Sequence, residues 1–518
     1  MEEKFFGLEL KNIEKSFGDV KANQNISLQV KQGEILSILG ENGSGKSTLM
    51  NIIAGIYQPD AGDIYIKGDL VHIASPKDAF RYGVGMVHQH FHLIDIFTAA
   101  ENIILGLKEE GGYKPKKVEE KIRKICKQYG FLLSPSKKVY AMSVSEKQMV
   151  EIVKVLYRGA EILILDEPTA VLTPQETQAL FSVLRKMRDD GKTILIITHK
   201  LQEVMEISDR VTVIRGGKII QTVETRKTSQ EELTELMVGH KTDLHIHRAE
   251  VVKKELRLDV KHLDLVKNNQ EILKDISFEV YDGEILGIAG ISGSGQKELL
   301  EAIAGLEKVS QGDILYTDPT TGEKEQLQKF SADAIRKMGV RLSFVPEDRL
   351  GMGLVGNMDL VDNLLLRSYN ESNDFFINRE EPRKLAKDLV EKLNISTPDI
   401  YTPLRQLSGG NIQKVLVGRE ITIEPALLMV AYPVRGLDIH SSYQIYDLLN
   451  EEKKKGVAII YVGEDLDVML ELCDRILVLA DGMLSGLVDA RRATKEEIGL
   501  LMTQTQAHAF VRTDKGEE

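Results

Sequence analysis

Short, continuous apolar runs recur along this chain, separated by longer segments whose apolar residues fall at helical spacing. Ile35-Leu-Ser-Ile-Leu39, Ile162-Leu-Ile-Leu165 and Thr193-Ile-Leu-Ile-Ile197 have the length and continuity of strands buried on both faces. Between the last two, Pro174 to Met187 places Leu180, Val183, Leu184 and Met187 on one stripe, which predicts a helix with one face on a core. The charged stretch from Val118 to Tyr129 also keeps helical spacing and predicts part of an all-helical subdomain. Buried strands alternating with amphipathic helices give an α/β fold class.

The pattern occurs twice. Asn25-Ile-Ser-Leu-Gln-Val-Lys-Gln-Gly-Glu-Ile-Leu36 answers to Asp275-Ile-Ser-Phe-Glu-Val-Tyr-Asp-Gly-Glu-Ile-Leu286, an offset of 275 − 25 = 250. Further on, Ser143 pairs with Ser408, Asp166 with Ala431 and His199 with Glu464, at 464 − 199 = 265. The second half therefore gains about fifteen residues (265 − 250), expected in the polar sequences 322–330 and 370–374. The expected organisation is a first domain over 1–240, a linker over 241–255, a second domain over 256–505 and a tail over 506–518. His245-Ile-His247 in the linker has strand spacing but no further ligands, so it reads as solvated linker rather than a metal site.

Bulk properties narrow the class. A chain of 518 residues is too long for one core, and its 42% hydrophobic and 28% charged residues are ordinary for globular domains. A formal charge of −12 argues against nucleic acid as partner. No apolar run approaches the ~18–20 residues of a membrane helix, and Met1-Glu-Glu-Lys-Phe-Phe6 does not read as a signal peptide. Two cysteines, Cys126 and Cys473, cannot build a framework of bridges. The expectation is an intracellular protein whose membrane role passes through a partner.

Candidate chemistry sits first in Gly40-Glu41-Asn42-Gly43-Ser44-Gly45-Lys46-Ser47, followed by Thr48. The run fits G-x-x-x-x-G-K-[ST] between a buried strand and a helix opening at Lys46. Its glycines let backbone N–H groups wrap phosphates, while Lys46 reaches the outer phosphates and Ser47 holds Mg²⁺. The copy Gly290-Ile-Ser-Gly-Ser-Gly-Gln296-Lys297 keeps the glycines but has lost the cation and the hydroxyl. One phosphate loop is armed and the other disarmed.

Further motifs follow in a fixed order: Gln89, Met142–Glu146, Ile162-Leu-Ile-Leu-Asp166-Glu167 and Thr198-His199. In that order the chain resembles an ABC-transporter ATPase, once per half and over nearly its whole length. The resemblance implies two tandem P-loop ABC-type nucleotide-binding domains, each with a helical subdomain, using ATP and Mg²⁺. It places Asp166 on Mg²⁺ through water, beside Ser47 and Gln89, and Glu167 as the carboxylate that polarises the attacking water. His199 would contact the γ-phosphate, Gln89 would sense the ion and the water, and Phe17 would stack on adenine.

The family works as a head-to-tail dimer, so a signature from the other half completes each site. Leu407-Ser408-Gly409-Gly410-Asn411 is close to the family's LSGGQ, and with the Asp438 loop it would complete the first site. The second site would combine Lys267, Gln296, Lys297, Glu347, Ala431, Tyr432 and Glu464, opposed by Met142-Ser-Val-Ser-Glu146 and Thr173. In that signature the glycines are gone, and Glu146 would put negative charge beside a phosphate. Every defect falls in one composite site, which implies one hydrolytic site and one structural or regulatory site.

Tandem halves asymmetric in this sense resemble the ATP-binding subunits of sugar and nucleoside importers. His88-Gln89-His90-Phe91, Leu156-Tyr-Arg-Gly-Ala160 and Glu167-Pro-Thr-Ala-Val-Leu-Thr-Pro-Gln175 resemble the nucleoside branch more than ribose or galactose ATPases. That branch implies two transmembrane permeases and an extracytoplasmic binding lipoprotein as partners, with this subunit peripheral on the cytoplasmic face of the membrane. The rival class, a soluble tandem ABC protein acting on ribosomes or DNA, generally keeps both sites competent and joins its halves by a long charged helix. Here the join is short, the charge acidic and one site ruined.

Overall fold

A computed structural model describes residues 6–503, apart from 19, 42, 89–90, 108–113, 171, 199, 240–244, 251–254, 268, 292, 346–349, 351–352, 370–376, 422–424, 436 and 438. Asn42, Gln89, His199, Glu347, Asp438, the tail over 506–518 and much of the expected linker therefore lie outside the described residues. The chain divides into two compact units, Met1–Asp243 and Leu244–Glu518.

In the first unit the apolar runs become the centre of a six-stranded sheet. Its order is Lys218–Glu224, Arg210–Arg215, Ile35–Leu39, Thr193–Ile197, Ile162–Asp166 and Val84–Val87. The four strands from Ile35–Leu39 outward to Val84–Val87 run parallel, and Ile35–Leu39 is buried at every position, as expected for a sheet covered on both faces. One face is covered by the helix Lys46–Ile53 and an antiparallel sheet, Val20–Lys31, Phe6–Phe17, Ala61–Ile66 and Asp69–Val71. The other is covered by helices that include Pro115–Tyr129, Val144–Tyr157 and Pro174–Asp189, through Val118, Ile122, Val150, Val153, Leu180 and Leu184.

The second unit repeats these layers, with its strands joined into one ten-stranded sheet by a parallel bridge between Lys274 and Met483. Even strained backbone repeats. Left-handed φ values occur at Asn12 (52°) and His262 (48°), Asn25 (52°) and Asp275 (51°), and Glu167 (46°) and Tyr432 (55°). The insertions can be placed from such pairs. Gly62 and Gly312 are 250 apart but Gly83 and Gly339 are 256 apart (339 − 83), so six residues enter around the short strand Lys324–Gln326, where polarity predicted them. Asn102 and Asn363 accept from the amides of Ile94 and Val355 in matching turns and stand 363 − 102 = 261 apart. Five residues therefore enter just after the strand Val340–Phe344, outside the two expected places. Only the remaining four (265 − 261) are left for the region that includes 370–374, which corrects the expected position.

A buried ion pair recurs at the amino end of the strand that leads into each glycine loop. Arg210 pairs with Glu34 in the first unit, and Arg475 Nε lies 2.5 Å from Glu284 Oε1 in the second, where the glutamate side chain is 0% exposed. Next to them Asp209 and Asp474 accept from the amides of Ile35 and Ile285, each at 2.9 Å. These contacts fasten the strand that enters the loop to the adjoining strand. Among the described residues no helix is long and apolar enough to cross a membrane. Removing one member of a buried pair leaves an uncompensated charge, so Arg475→Met should destabilise the second unit by about 3–5 kcal/mol. Urea unfolding should show its transition at lower denaturant, with much of the loss recovered by adding Glu284→Gln.

Candidate functional site

Strand register decides which side chains meet. Ile38 lies opposite Ile197, Ile197 opposite Asp166, and Val87 opposite Leu165 on the outer strand. The phosphate loop, Thr198, Glu167 and His88 therefore leave the sheet at one edge, the carboxyl ends of parallel strands where α/β folds bind ligands.

The loop's shape depends on its glycines. Gly43 and Gly45 have φ of 79° and 99°. A Cβ on Gly45 would fall 2.2 Å from the Ala22 carbonyl, and one on Gly40 would fall 2.1 Å from the Ile214 carbonyl. Asn23 Nδ2 donates to the Gly45 carbonyl at 3.1 Å and fixes the loop against the antiparallel sheet. Lys46, 8% exposed, donates to the carbonyls of Gly40 and Glu41, both at 2.8 Å. Ser47 is exposed and Thr48 half-buried at the start of the helix. Ser44 Oγ is buried with no hydrogen-bond partner, a free hydroxyl inside a ring of close-packed backbone. A phosphate group fits this cradle.

Charge in the site is unbalanced. Burial pushes the Asp166 carboxyl up to about 6, neighbouring Glu167 pushes the same way, and Lys46 opposes both. Burial lowers the Lys46 ammonium, against the pull of Glu167, Asp166 and Glu41. The partly dry Asp166 and Glu167 carboxylates, with the exposed Ser47 hydroxyl, are hard oxygen donors of the kind Mg²⁺ takes together with phosphate and water. Glu167 stands one residue beyond the strand in left-handed backbone, its amide donating to the Ile197 carbonyl at 2.9 Å. Such strain persists only where the surroundings enforce it.

The counterpart in the second unit keeps the scaffold and loses the chemistry. Tyr432 has the same left-handed φ, and its amide donates to the Val462 carbonyl at 2.8 Å. Buried Ala431 stands where Asp166 stands. Gln296 Nε2 makes a 3.3 Å contact to the Ile291 carbonyl, and Lys297 lies 3.6 Å from Glu301. Arg435 lies over the Tyr432 ring, 6.0 Å from its centroid, and 3.5 Å from Glu464. A guanidinium–carboxylate pair thus sits beside the tyrosine that replaces the glutamate.

The two signature segments also differ. Ser408 and Asn411 flank the exposed glycine start of the helix Gly409–Ile421, with Asn411 Nδ2 donating to Ser408 Oγ at 2.9 Å and Gly410 between them. In the first unit Ser143 and Glu146 form a capping box on the helix Val144–Tyr157. Glu146 accepts from the Ser143 amide at 2.8 Å and from Lys137 Nζ at 2.7 Å. Burial raises this carboxyl, but Lys137 and the Ser143 amide hold it below the usual range. Within its own unit Glu146 therefore caps its helix and is paired with Lys137, which tempers the negative charge expected of it. The S-x-x-E spacing of a capping box was the available signal.

Of the candidate residues, the structure brings together Gly40, Glu41, Gly43, Ser44, Gly45, Lys46, Ser47, Thr48, Asp166 and Glu167 at one strand edge. Phe17 closes the strand Phe6–Phe17 at the exposed end of the antiparallel sheet. Sequence reasoning passed over Asn23, and over the His88–His92 ring pair, whose centroids lie 5.1 Å apart. Asn23 has no sequence motif, because only the fold brings it to the loop.

The raised Asp166 carboxyl gives a signed pH effect. Its folded-state pKa lies above the ordinary 3.8, so ionisation removes stability as pH rises from about 4 to about 6, and the whole deficit is present above that. Asp166→Asn should raise the thermal midpoint of the nucleotide-free first unit at pH 8, with a smaller gain at pH 5. An equal gain at both would mean that the ionised carboxylate is not the source.

The ABC transporter family profile matches residues 23–170 and 273–433. The nucleoside import ATP-binding protein NupA of Lactococcus lactis subsp. cremoris is 40% identical over 502 residues, 96% of this chain and 97% of that protein. The guanosine import ATP-binding protein NupO of Bacillus subtilis is 43% identical over 512 residues, 97% of this chain and 98% of that protein. The ribose import ATP-binding protein RbsA of Clostridium tetani is 37% identical over 507 residues, 96% and 97%. Among solved structures, an RNase-L inhibitor aligns with a TM-score of 0.60 over 93% of this chain and 90% of that one, at 17% identity, a likeness of fold alone. The matches run through both halves, glycine loops included, and the chain belongs to the ABC transporter family, with one copy of its ATP-binding module in each half.

Proposed function

We propose that the chain is the ATP-hydrolysing subunit of an ABC importer, that its first unit carries the one hydrolytic site, and that the imported solute is a nucleoside. The observation that carries the first part is the set Lys46, Asp166 and Glu167 gathered at one strand edge, against Gln296, Ala431 and Tyr432 at the matching places. Lys46 and the loop amides bind the β- and γ-phosphates, and Ser47, Asp166 and Gln89 hold Mg²⁺, which neutralises phosphate charge. Glu167 polarises the attacking water, and His199 orients it against the γ-phosphate. Phe17 stacks on the adenine. Ser408, Gly409, Gly410, Asn411 and the Asp438 loop close over this ATP from the second unit, a helix start with amides toward the γ-phosphate.

Support for a nucleoside comes from the nucleoside and guanosine import relatives matched over nearly their whole length. Sugar import is the second reading, favoured by the ribose relative. The partners of this reading are two membrane-spanning permeases and a substrate-binding lipoprotein, with the subunit peripheral on the cytoplasmic face. ADP and phosphate leave after hydrolysis, and the energy drives solute passage through the permeases. A role on ribosomes or DNA is opposed by the charge of −12 and the ruined second site.

Glu167→Gln should keep ATP affinity within about threefold while turnover falls by roughly 10²–10⁴. Lys46→Ala should instead lose productive binding, because the cation facing the phosphates is gone. Equilibrium binding beside phosphate release separates the two, and equal loss of affinity in both variants would remove Glu167 from its role.

A further inference from the structure

Two exposed aromatic rings stand together in the first unit, and only one has been assigned. Phe17 and Tyr57 have centroids 5.3 Å apart at an interplanar angle of 72°, and they are 45% and 37% exposed. Phe17 ends the strand Phe6–Phe17, in register with Val20 at the head of the strand that supports Gly45 through Asn23. Tyr57 follows the helix that opens at Lys46, and its amide donates to the Asn51 carbonyl at 3.1 Å. Both rings are therefore built onto elements that touch the phosphate loop.

The corner is braced. Asp60 accepts from Lys15 Nζ and from the Ser16 amide, each at 2.7 Å, and Lys15 Nζ lies 5.6 Å from the Phe17 centroid. These bonds fix the end of the strand that carries Phe17. Single exposed aromatics need no explanation, but a braced pair at right-angle geometry on two elements that also carry contacts of the phosphate loop is a surface for a flat ring.

The second unit supplies an internal comparison. Residues 250 further on are Lys267 and Glu307 (267 − 17 and 307 − 57), and their side chains form an ion pair. Lys267 is the expected loss of an aromatic. That Glu307 replaces the second ring and pairs with it is visible only in the structure. Both walls of the corner have been exchanged together, for groups that satisfy each other in water and offer no π-face.

We propose that Tyr57 is the second wall of the adenine platform of the first unit, holding the Phe17 ring in place and giving the site its preference for a purine base, and that the Lys267–Glu307 pair abolishes base recognition in the second unit. This rests on the reading of the first unit as the hydrolytic site. Tyr57 acts through Phe17 and the base, so it is a positioning residue.

The test is steady-state ATPase activity and equilibrium dialysis of ATP and UTP with the full chain and its variants. Loss of an aromatic surface that supports base stacking should raise KM for ATP about tenfold in Tyr57→Ala. Its kcat should stay within about twofold, and its preference for ATP over UTP should shrink. Tyr57→Phe should restore KM, and Phe17→Ala combined with Tyr57→Ala should be little worse than either alone. Glu307→Ala should change neither constant. An unchanged KM in Tyr57→Ala, a loss in kcat alone, or failure of Tyr57→Phe to rescue would overturn the platform, and a raised KM in Glu307→Ala would overturn the assignment of the second unit. Absence of turnover in the unmodified chain would sink the hydrolytic reading instead, while dialysis of ATP against UTP would still decide the platform.

Discussion

The site depends on keeping Lys46, Asp166 and Glu167 together in partly dry surroundings at the edge of a parallel sheet. Burial first, and then the like charge of Glu167, disfavour an ionised Asp166 and push its carboxyl up to about 6. The two carboxylates become favourable around a divalent cation and a triphosphate, so the empty-site cost is a source of ligand selectivity. The fold tolerates it because the strand register leaves no alternative. Ile38, Ile197 and Asp166 are locked in one row, and the Glu34–Arg210 pair holds the loop-bearing strand to its neighbour. A change that shifted that row by one residue would send the carboxylate to the opposite face.

The second unit separates scaffold from chemistry. It keeps the ion pair, the left-handed φ before the next segment and the glycine loop, yet it holds no carboxylate at positions 431 and 432. What stands there is internally balanced: Arg435 against Glu464 and Tyr432, Lys267 against Glu307. At the first unit's site Asp166 and Glu167 crowd around Lys46, whereas at its counterpart in the second unit Arg435 pairs with Glu464 and Lys267 with Glu307. That contrast agrees with a live site that waits for Mg²⁺ and ATP and a companion whose role is architectural. The signature segments follow the same logic within each unit, since Glu146 and Lys137 satisfy the helix start that Ser408–Asn411 leaves lined by glycines.

Much of this was legible in the sequence. Continuous apolar runs became the parallel strands with nearly the expected bounds, because a strand buried on both faces has no polar positions to blur it. The helices Pro115–Tyr129 and Pro174–Asp189 followed their apolar stripes. The antiparallel layer was not read, because register shifts around Asn12 and Asn25 interrupt the alternation that marks such strands. The five residues inserted after Val340–Phe344 were not expected there. Lys46 and Ser47 were marked by the G-x-x-x-x-G-K-[ST] spacing, and Asp166 and Glu167 by the resemblance to ABC-transporter ATPases. Asn23 and Tyr57 depend on contacts across 22 and 40 residues of sequence, which no local pattern records, whereas the capping role of Glu146 is local and only its pairing with Lys137, 9 residues away, is not.

The central claim is that hydrolysis belongs to the first unit alone. The most direct measurement is phosphate release by the assembled transporter carrying Lys46→Ala together with Gln296→Lys, which removes the cation from one loop and restores it to the other. Residues that act as a unit do not regain function one at a time, and Lys297, Ala431, Tyr432 and Glu464 remain in place. The account predicts no turnover above that of Lys46→Ala alone. Appreciable, Mg²⁺-dependent release from the double variant would contradict it.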